Sequence, residues 1–452
     1  MSSFTRRIVL AFVLLPLALL ALVSGPRPAG AQSADPPVVF VHGNGDTAAL
    51  WIGQIWRFES NGYARDRLFA LDIKYPSARS VDAKPQEGRS STAEAMAQLA
   101  ALVTEAKART GAAKVALVGN SRGANTIRNY VKNGGGAAHV SHVVLGGGVN
   151  HGVLVSEVAL VGSEFNGASD FMKQLNDGPD EVVAGVRFMT IRSDKDDKYA
   201  QPDGMFLGMA GKPTGVSYDG PALKGAENVV LAGLDHREVS FAPAAFVETF
   251  RFITGRMPAR VEILPEAEAT LNGTVTGITA GSYDNVAVAG AKVVVFEVDA
   301  RTGARLGAAM HERTTGADGA WGPFKARSDA VLEFVVEMAG QATTHIYRSA
   351  FPRGSNVVHL RPGQVAKGEE AAGAVVAISR PRGYFGHGRD IFLIDGKVPA
   401  GVNQGVPGGS VGKLVLPEGP ARTVAVRFNG ESFAVQSWPA AEKRLVIAEF
   451  HY

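Results

Sequence analysis

The sequence predicts an α/β domain with a mostly parallel sheet, followed by two small all-β modules of the sandwich type. Up to about residue 257, short apolar runs alternate with stretches of helical spacing, and this alternation is typical of a parallel sheet covered on both faces. From about residue 265, strand-like runs bounded by turns replace the helical spacing. The 452 residues, of which 46% are hydrophobic and 20% charged, suffice for several domains with their own cores.

In the first part, continuous apolar runs predict strands that are buried on both faces. Ser91 and Glu94 form a capping-box pattern that predicts the start of a helix, and Gly111 predicts its end. Another helix is expected between Asp46, as its cap, and Asn61. A helix over 243–252 closes the domain, and the predicted strands are 38–41, 68–73, 115–118, 140–145, 186–191 and 229–231.

In the tail, hydrophobic residues alternate along 293–298, and Asn429-Gly430 separates two further alternating runs. Asn-Gly between such runs is a strong signal for a β-hairpin. The boundaries predicted from these patterns are 36–257 for the α/β domain, 266–363 for the first β module and 371–452 for the second.

The first 31 residues have the composition of a secretory signal peptide. Arg6 and Arg7 precede an apolar run over 8–23, and Ala29-Gly30-Ala31 supplies a small-residue cleavage site. A membrane anchor is the alternative, but the apolar run is short for a membrane span. We expect cleavage after Ala31, export to the periplasm or the medium, and no transmembrane anchor after processing. The paired arginines resemble a twin-arginine signal.

Charge and composition exclude several classes of function. The formal net charge of +3 equals the contribution of Arg6, Arg7 and Arg27 in the leader, so the mature chain has no basic excess for nucleic acid. The absence of cysteine excludes disulfides, thiolate catalysis and cysteine-ligated zinc. We expect neither a cofactor nor a resident metal.

The chemistry is predicted around Ser121. The run Gly119-Asn-Ser121-Arg-Gly123 stands between a valine-rich strand and a helical stretch that stops at Asn133. This is the nucleophile elbow of α/β-hydrolases, in which a strained turn exposes the serine and the glycines permit strand and helix to approach closely. The fold class is therefore predicted more narrowly as an α/β-hydrolase domain.

A serine nucleophile needs a histidine base, and that histidine needs a carboxylate. In α/β-hydrolases the acid and then the histidine follow the serine along the chain. His236 comes after a predicted strand and before the last helix, which favours it over His151. The candidate acids lie in the loop after the strand 186–191 and are Asp197, Asp196 and Asp203, in that order of preference.

Two backbone N–H groups are expected to bind the oxyanion of the acyl-transfer intermediate. One belongs to Arg122, directly after the nucleophile, and the other to Asn44 in the loop after the first strand. Met205, Phe206, Leu207 and Met209 form an apolar cluster that reads either as a lid or as a plug of the core. In the tail, the glycines around Tyr384 and Phe385 predict a loop that projects its rings outward.

These motifs resemble those of bacterial and fungal lipases with the α/β-hydrolase fold. The likeness is carried by Val-Phe-Val-His-Gly-Asn-Gly at 39–45, Gly-Asn-Ser-Arg-Gly at 119–123 and Asn-His-Gly at 150–152. Asp-Lys-Tyr-Ala-Gln-Pro at 197–202 resembles the acid loop of a yeast lipase B and implies Asp197 as the acid, whereas counting from the preceding strand implies Asp196.

The tail resembles the C-terminal lipid-binding β-domain of an archaeal lipase. Residues 271–324 also look like a transthyretin-like or carboxypeptidase regulatory sandwich. The resemblance implies an exported lipase or esterase with an ester or lipid substrate and contact with a lipid–water interface. The alternatives are a binding protein with a vestigial hydrolase domain, and a depolymerase of extracellular polyester or a peptidase on the same fold.

Overall fold

A parallel sheet forms the centre of the α/β part. The computed structural model describes residues 35–380, 382–402 and 404–451, so the leader predicted over 1–31 lies outside the described residues. In the described part of the chain, the sheet has six strands in the order β2-β1-β5-β6-β7-β8, and all its neighbours are parallel. The strands of this part are β1 Val38–Val41, β2 Leu68–Leu71, β3 Ser77–Ala78, β4 Arg89–Ser90, β5 Val115–Asn120, β6 Val140–Gly146, β7 Arg187–Arg192 and β8 Glu227–Val230.

Helices cover both faces of this sheet. The described helices are α1 Ile52–Ser60, α2 Thr92–Thr110, α3 Arg122–Asn133, α4 Asp170–Leu175, α5 Glu238–Phe241 and α6 Pro243–Thr254. Alternate residues of β1 enter different cores: Val39 and Val41 pack toward α2 and α3, whereas Val38 and Phe40 pack toward α1 and α6. The predicted α/β class with a parallel sheet is confirmed.

Local sequence signals explain where these helices begin and end. Ser91 and Glu94 form the reciprocal capping box of α2, and Gly111 ends that helix with a φ of 67°. The expected cap at Asp46 is wrong by one residue. A short 3₁₀ turn, Ala48–Trp51, precedes α1, and the Thr47 side chain accepts the Ala49 N–H that caps it.

The tail is all-β, as predicted. The strands are β9 Glu268–Leu271, β10 Thr276–Thr279, β11 Ser282–Ala287, β12 Lys292–Val298, β13 His311–Thr314, β14 Phe324–Arg327, β15 Val331–Glu337, β16 Thr343–Arg348, β17 Ala374–Ser379, β18 Phe392–Ile394, β19 Val411–Leu416, β20 Thr423–Phe428, β21 Glu431–Gln436 and β22 Arg444–Glu449. The hairpin expected at Asn429-Gly430 joins β20 to β21, and Asn429 has a φ of 46°.

One sheet contains strands from both predicted β modules. Its order in the described residues is β13-β12-β15-β16-β22-β17-β19, and β22 pairs in parallel with β16 on one side and with β17 on the other. The segment around 362–372 therefore connects strands of a shared sheet. The boundaries 36–257, 266–363 and 371–452 stay predictions.

The α/β part and the tail share buried contacts. Ile52 and Trp56 of α1 belong to the hydrophobic core formed by the first strands of the tail. The Trp56 indole donates to the Gly354 carbonyl oxygen at 3.0 Å. At the same interface, Oδ2 of Asp72, which follows β2, lies 2.8 Å from Nε2 of His359. Residues 35–451, in the described part, thus pack as a single unit.

Candidate active site

Ser121 occupies the turn between β5 and α3 in a strained backbone conformation. Its φ is 53° and its ψ is −119°, values that few residues other than glycine adopt. A Cβ atom at Gly119 would lie 2.6 Å from the Ile127 side chain, and one at Gly123 would lie 2.3 Å from the Val41 carbonyl oxygen. The two glycines of the motif are therefore required by the close approach of strand and helix.

His236 and Asp197 are in direct contact. Nδ1 of His236 lies 2.9 Å from Oδ1 and 3.0 Å from Oδ2 of Asp197, and both residues are buried. The Tyr199 backbone N–H donates to Oδ1 of Asp197 at 2.8 Å and helps to orient the carboxylate. Nε2 of His236 is buried and has no hydrogen-bond partner among the described residues.

The other candidates for these two positions make different contacts. The Asp196 backbone N–H donates to Asp194, and burial together with the Asp194 charge raises the pKa of the Asp196 carboxyl. Asp203 is exposed and accepts the Met205 N–H at 3.1 Å. His151 pairs with Glu181 at 3.0 Å. Of the residues proposed from sequence, Asp197 and His236 are the acid and the histidine that the fold brings together.

Three residues that sequence reasoning missed fix His236. The Asn120 side-chain amide donates to the His236 carbonyl oxygen at 3.0 Å. Gly147, with a φ of 56°, allows the His236 backbone to pass so closely that a Cβ there would lie 2.5 Å from the same oxygen. The Tyr199 ring meets the imidazole edge to face, with ring centroids 4.7 Å apart. The glycine run 146–148 was the available signal for Gly147.

Ser121 and His236 line the same cavity, which has a volume of about 150 Å³. Asn44 and Arg237 lie at its polar side, and its apolar wall includes Val153, Leu160, Phe165 and Leu207. Tyr199 and Tyr384 also line it, and Tyr384 belongs to the β tail. A second cavity of about 340 Å³ shares Tyr199 and His236 with the first and continues past Asp197 to Thr190 and Asn228.

The ring at Tyr384 is not projected outward, contrary to the expectation from the surrounding glycines. Tyr384 is 6% exposed and Phe385 is fully buried. Phe385 stacks on Phe392 in the core of the tail, with ring centroids 3.7 Å apart. The neighbouring Tyr384 lines the Ser121 cavity. The glycines serve close packing here: a Cβ at Gly383 would lie 2.2 Å from the Arg380 guanidinium.

The two residues predicted for the oxyanion donors lie beside Ser121. Asn44 lines the cavity, while its side chain is engaged elsewhere and accepts the Ala78 N–H at 2.7 Å. Arg122 is the first residue of α3, where backbone N–H groups have no partner within the helix. Its buried guanidinium binds Glu164 and Ser90, and burial raises the pKa of the Glu164 carboxyl.

The apolar cluster at 205–209 lies outside the two sheet cores. Met205–Leu207 is a 3₁₀ turn, and Leu207 and Met209 pack against Val149, Val153 and Leu154 in a small cluster separate from the two sheet cores.

Among the described residues, no group of three or more His, Asp or Glu side chains has the arrangement of a metal site. No helix of the described part of the chain is long and apolar enough to cross a membrane.

Two family models match the chain. Residues 35–205 match the class 2 lipases, and residues 267–365 match the lipase C-terminal domain. The chain is an α/β-hydrolase of the lipase and esterase class. It is thus a carboxylic ester hydrolase with a C-terminal β domain, and the second match ends before β17.

Solved structures of lipases are among those similar to this lipase/esterase. Aspergillus fumigatus lipase B matches at 15% identity over 52% of this chain, with a TM-score of 0.37, and this chain spans 56% of its length. The mature form of Bacillus licheniformis lipase BlEst2 matches at 23% identity over 51% of this chain and 95% of its own, with a TM-score of 0.35. Its propeptide form matches at 15% identity over 92% and 94% of the two chains, with a TM-score of 0.36.

Proposed function

We propose that this ester hydrolase works through an acyl-enzyme formed on Ser121, with His236 as base and Asp197 as the acid that orients it. The observation that carries the proposal is the set of contacts that the His236 ring makes. Its Nδ1 contacts Asp197, while Nε2 is without a partner among the described residues, and the residue lines the same cavity as Ser121. This is the arrangement that a serine nucleophile requires.

In the first half of the reaction, His236 Nε2 takes the Ser121 proton while Oγ attacks the ester carbonyl carbon. The N–H groups of Asn44 and Arg122 bind the oxyanion, and the positive end of α3 adds to this stabilisation. Collapse of the tetrahedral intermediate breaks the bond to the alcohol, which leaves with the proton from His236. Water then attacks the acyl-enzyme, with His236 again as base, and the acid product leaves Ser121 restored.

The expected substrate is an ester with an apolar acyl group. Aliphatic and aromatic side chains form much of the cavity wall beside Ser121. Exposed apolar residues occur in the two segments that contribute Leu160 and Leu207 to this wall: Val158 is 90% exposed, Val161 58% and Met205 57%. Exposed apolar surface can mark a contact site, and we propose that these residues contact a lipid–water interface while the 205–209 turn covers the cavity as a lid.

We further propose that the leader 1–31 directs export and is removed, and that the chain is organised as 36–257, 266–363 and 371–452. The leader carries the charged, apolar and small-residue regions of a signal peptide in the expected order. N-terminal sequencing of the protein recovered from periplasm and medium tests this, with Gln32 as the expected first residue. Recovery only of protein that begins before residue 32 contradicts it.

Labelling with a fluorophosphonate tests the catalytic proposal, since this probe reacts with an activated serine. The wild-type protein should be labelled on Ser121 and should hydrolyse p-nitrophenyl esters. Ser121→Ala should remove both activities, with a loss in kcat of about 10³ to 10⁶ and an unchanged circular dichroism spectrum. Turnover above a few per cent in the purified variant would assign the nucleophile elsewhere.

A further inference from the structure

The catalytic histidine lies between two acids that cap each other. The Asp235 side chain accepts the backbone N–H of Glu238 at 2.9 Å, and the Glu238 side chain accepts the N–H of Asp235 at 2.8 Å. Oδ1 of Asp235 also accepts the Arg237 N–H at 2.8 Å. These are the bonds of a capping box, and they fix the backbone on both sides of His236.

Arginines of the β tail bind both acids, and Oε2 of Glu238 accepts from Arg389 as well as from the Asp235 N–H. Arg380, directly after β17, donates to Oδ2 of Asp235 at 2.9 Å and to Oε1 of Glu238 at 2.6 Å. Arg389 binds Oε2 of Glu238 at 2.7 Å. Arg380 and Asp235 are buried, and charge-assisted hydrogen bonds between buried groups hold geometry more strictly than exposed pairs.

The same part of the tail also reaches the cavity and the acid loop. Residue Arg380 with residues 382–389 is called the docking segment below. The Tyr384 backbone N–H donates to Oδ2 of Asp235 at 2.7 Å, and its ring lines the Ser121 cavity. The Lys198 ammonium, next to Asp197, lies 3.9 Å from the centre of that ring. The docking segment thus contacts the loops that carry both His236 and Asp197.

We propose that Arg380 is a positioning residue for His236, so that the docking segment is a functional part of the active site. This inference rests on the proposed triad. Without Arg380, the capping box keeps its backbone bonds but loses the cation that joins Asp235 to Glu238. The buried Asp235 carboxylate then has one cation fewer to offset its charge, and we expect the loop that carries His236 to shift. Arg380 lies outside both regions matched by the family models.

The test compares Arg380→Gln with Arg380→Lys and with Arg422→Gln, an arginine of the same tail in an exposed ion pair with Asp395. We expect Arg380→Gln to lower kcat on p-nitrophenyl acetate by about 10- to 100-fold with little change in KM, because small displacements of a catalytic group reduce turnover by this order. The rate of fluorophosphonate labelling should fall in parallel. Arg380→Lys should recover part of the loss, and Arg422→Gln should behave like the wild type.

Unchanged kcat in folded Arg380→Gln would overturn the proposal, as would an equal loss in the Lys variant. If Arg380→Gln does not fold, Glu238→Gln replaces it, because it weakens the same bridge while preserving shape; wild-type kcat in that variant overturns the proposal too. Labelling that survives Ser121→Ala would instead refute the catalytic proposal itself, so the two failures are distinguishable.

Discussion

The side-chain amide of Asn120 donates to the main-chain oxygen of His236 at 3.0 Å, so the residue before the proposed nucleophile binds the residue proposed as base. The same nitrogen also reaches the Gly146 oxygen at 3.1 Å and the Ser240 hydroxyl at 2.9 Å. Asn120 is buried, and its amide therefore joins β5, β6 and α5 at the carboxyl edge of the sheet.

Asn120→Ala should reduce both stability and turnover. The substitution removes the Asn120 donor from the His236 oxygen, which lowers the free energy of unfolding by about 1–3 kcal/mol. Loss of the bond to His236 should also lower kcat at temperatures where the variant is folded. Urea unfolding and ester hydrolysis measure the two effects. Asn133→Ala, at the end of α3, is the control and should change stability by less than about 0.5 kcal/mol.

The bond between Asn120 and His236 illustrates which features could be predicted from the sequence and which could not. The elbow, the capping box of α2 and the strands of the parallel sheet were predictable because each depends on residues close together in the chain. The bond from Asn120 to His236 spans more than a hundred residues, and no local pattern encodes it. The choice of Asp197 as the partner of His236 could not be made from sequence for the same reason. The side chains of neighbouring aspartates in a loop point in different directions, and the fold determines which one faces the histidine.

The tail was less predictable than the α/β part. Its strands and the Asn429 turn were expected, but the insertion of β22 between β16 and β17 depends on long-range pairing. Glycines around Tyr384 suggested an exposed loop. Instead, the carboxylate of Asp235 binds the Tyr384 N–H, and this partner lies in a different part of the sequence.

Replacement of the acid should discriminate among the three aspartates. Asp197→Asn should lower kcat by about 10⁴, because the amide no longer holds the histidine tautomer that accepts the serine proton. Asp196→Asn and Asp203→Asn are the matched controls and should alter kcat by less than about threefold. Steady-state hydrolysis of a soluble ester measures all three. Equal, mild losses would show that the acid is elsewhere.

Gly147→Ala should impair catalysis through contact with His236. A Cβ at this position would lie 2.5 Å from the His236 oxygen, so the loop has to move. Gly135 provides the control, since it has a similar positive φ of 74° and a Cβ there would meet no atom of the described residues within 4 Å. Both variants should lose about 1 kcal/mol of stability from backbone strain. A fall in kcat is expected for Gly147→Ala alone, and equal kcat values would contradict this.

The exposed Val158 and Val161, in the segment that contributes Leu160 to the cavity wall, should matter for insoluble substrates. Val158→Ser combined with Val161→Ser removes apolar surface that would be buried against lipid, and hydrolysis of an emulsified triglyceride should fall by about tenfold. Hydrolysis of soluble p-nitrophenyl acetate should stay within about twofold of wild type. Val411→Ser, at an exposed site on β19, is the control. Parallel losses on both substrates would show that the valines act on the chemistry or the fold.

The Asp72–His359 pair should make stability depend on acid pH. Burial disfavours the charged Asp72 carboxylate, but the His359 charge and the hydrogen bonds from His359 and the Ala48 N–H outweigh it, so the pKa lies at about 2 against an ordinary 3.8. A lowered folded pKa stabilises the protein above pH 3.8, and this contribution is lost as pH falls toward about 2. The unfolding free energy of wild type minus that of Asp72→Asn should therefore shrink between about pH 4 and pH 2. Exposed Asp66→Asn should show no such trend.

The position of β22 has a consequence for the order in which the protein can be assembled. This strand follows every other described strand in the sequence, yet it lies inside the shared sheet between β16 and β17. Until Arg444–Glu449 has left the ribosome, the edges of β16 and β17 that face each other have no strand to pair with. Unpaired edges are templates for association with other chains. A growing chain therefore has to keep this gap protected until its last strand arrives.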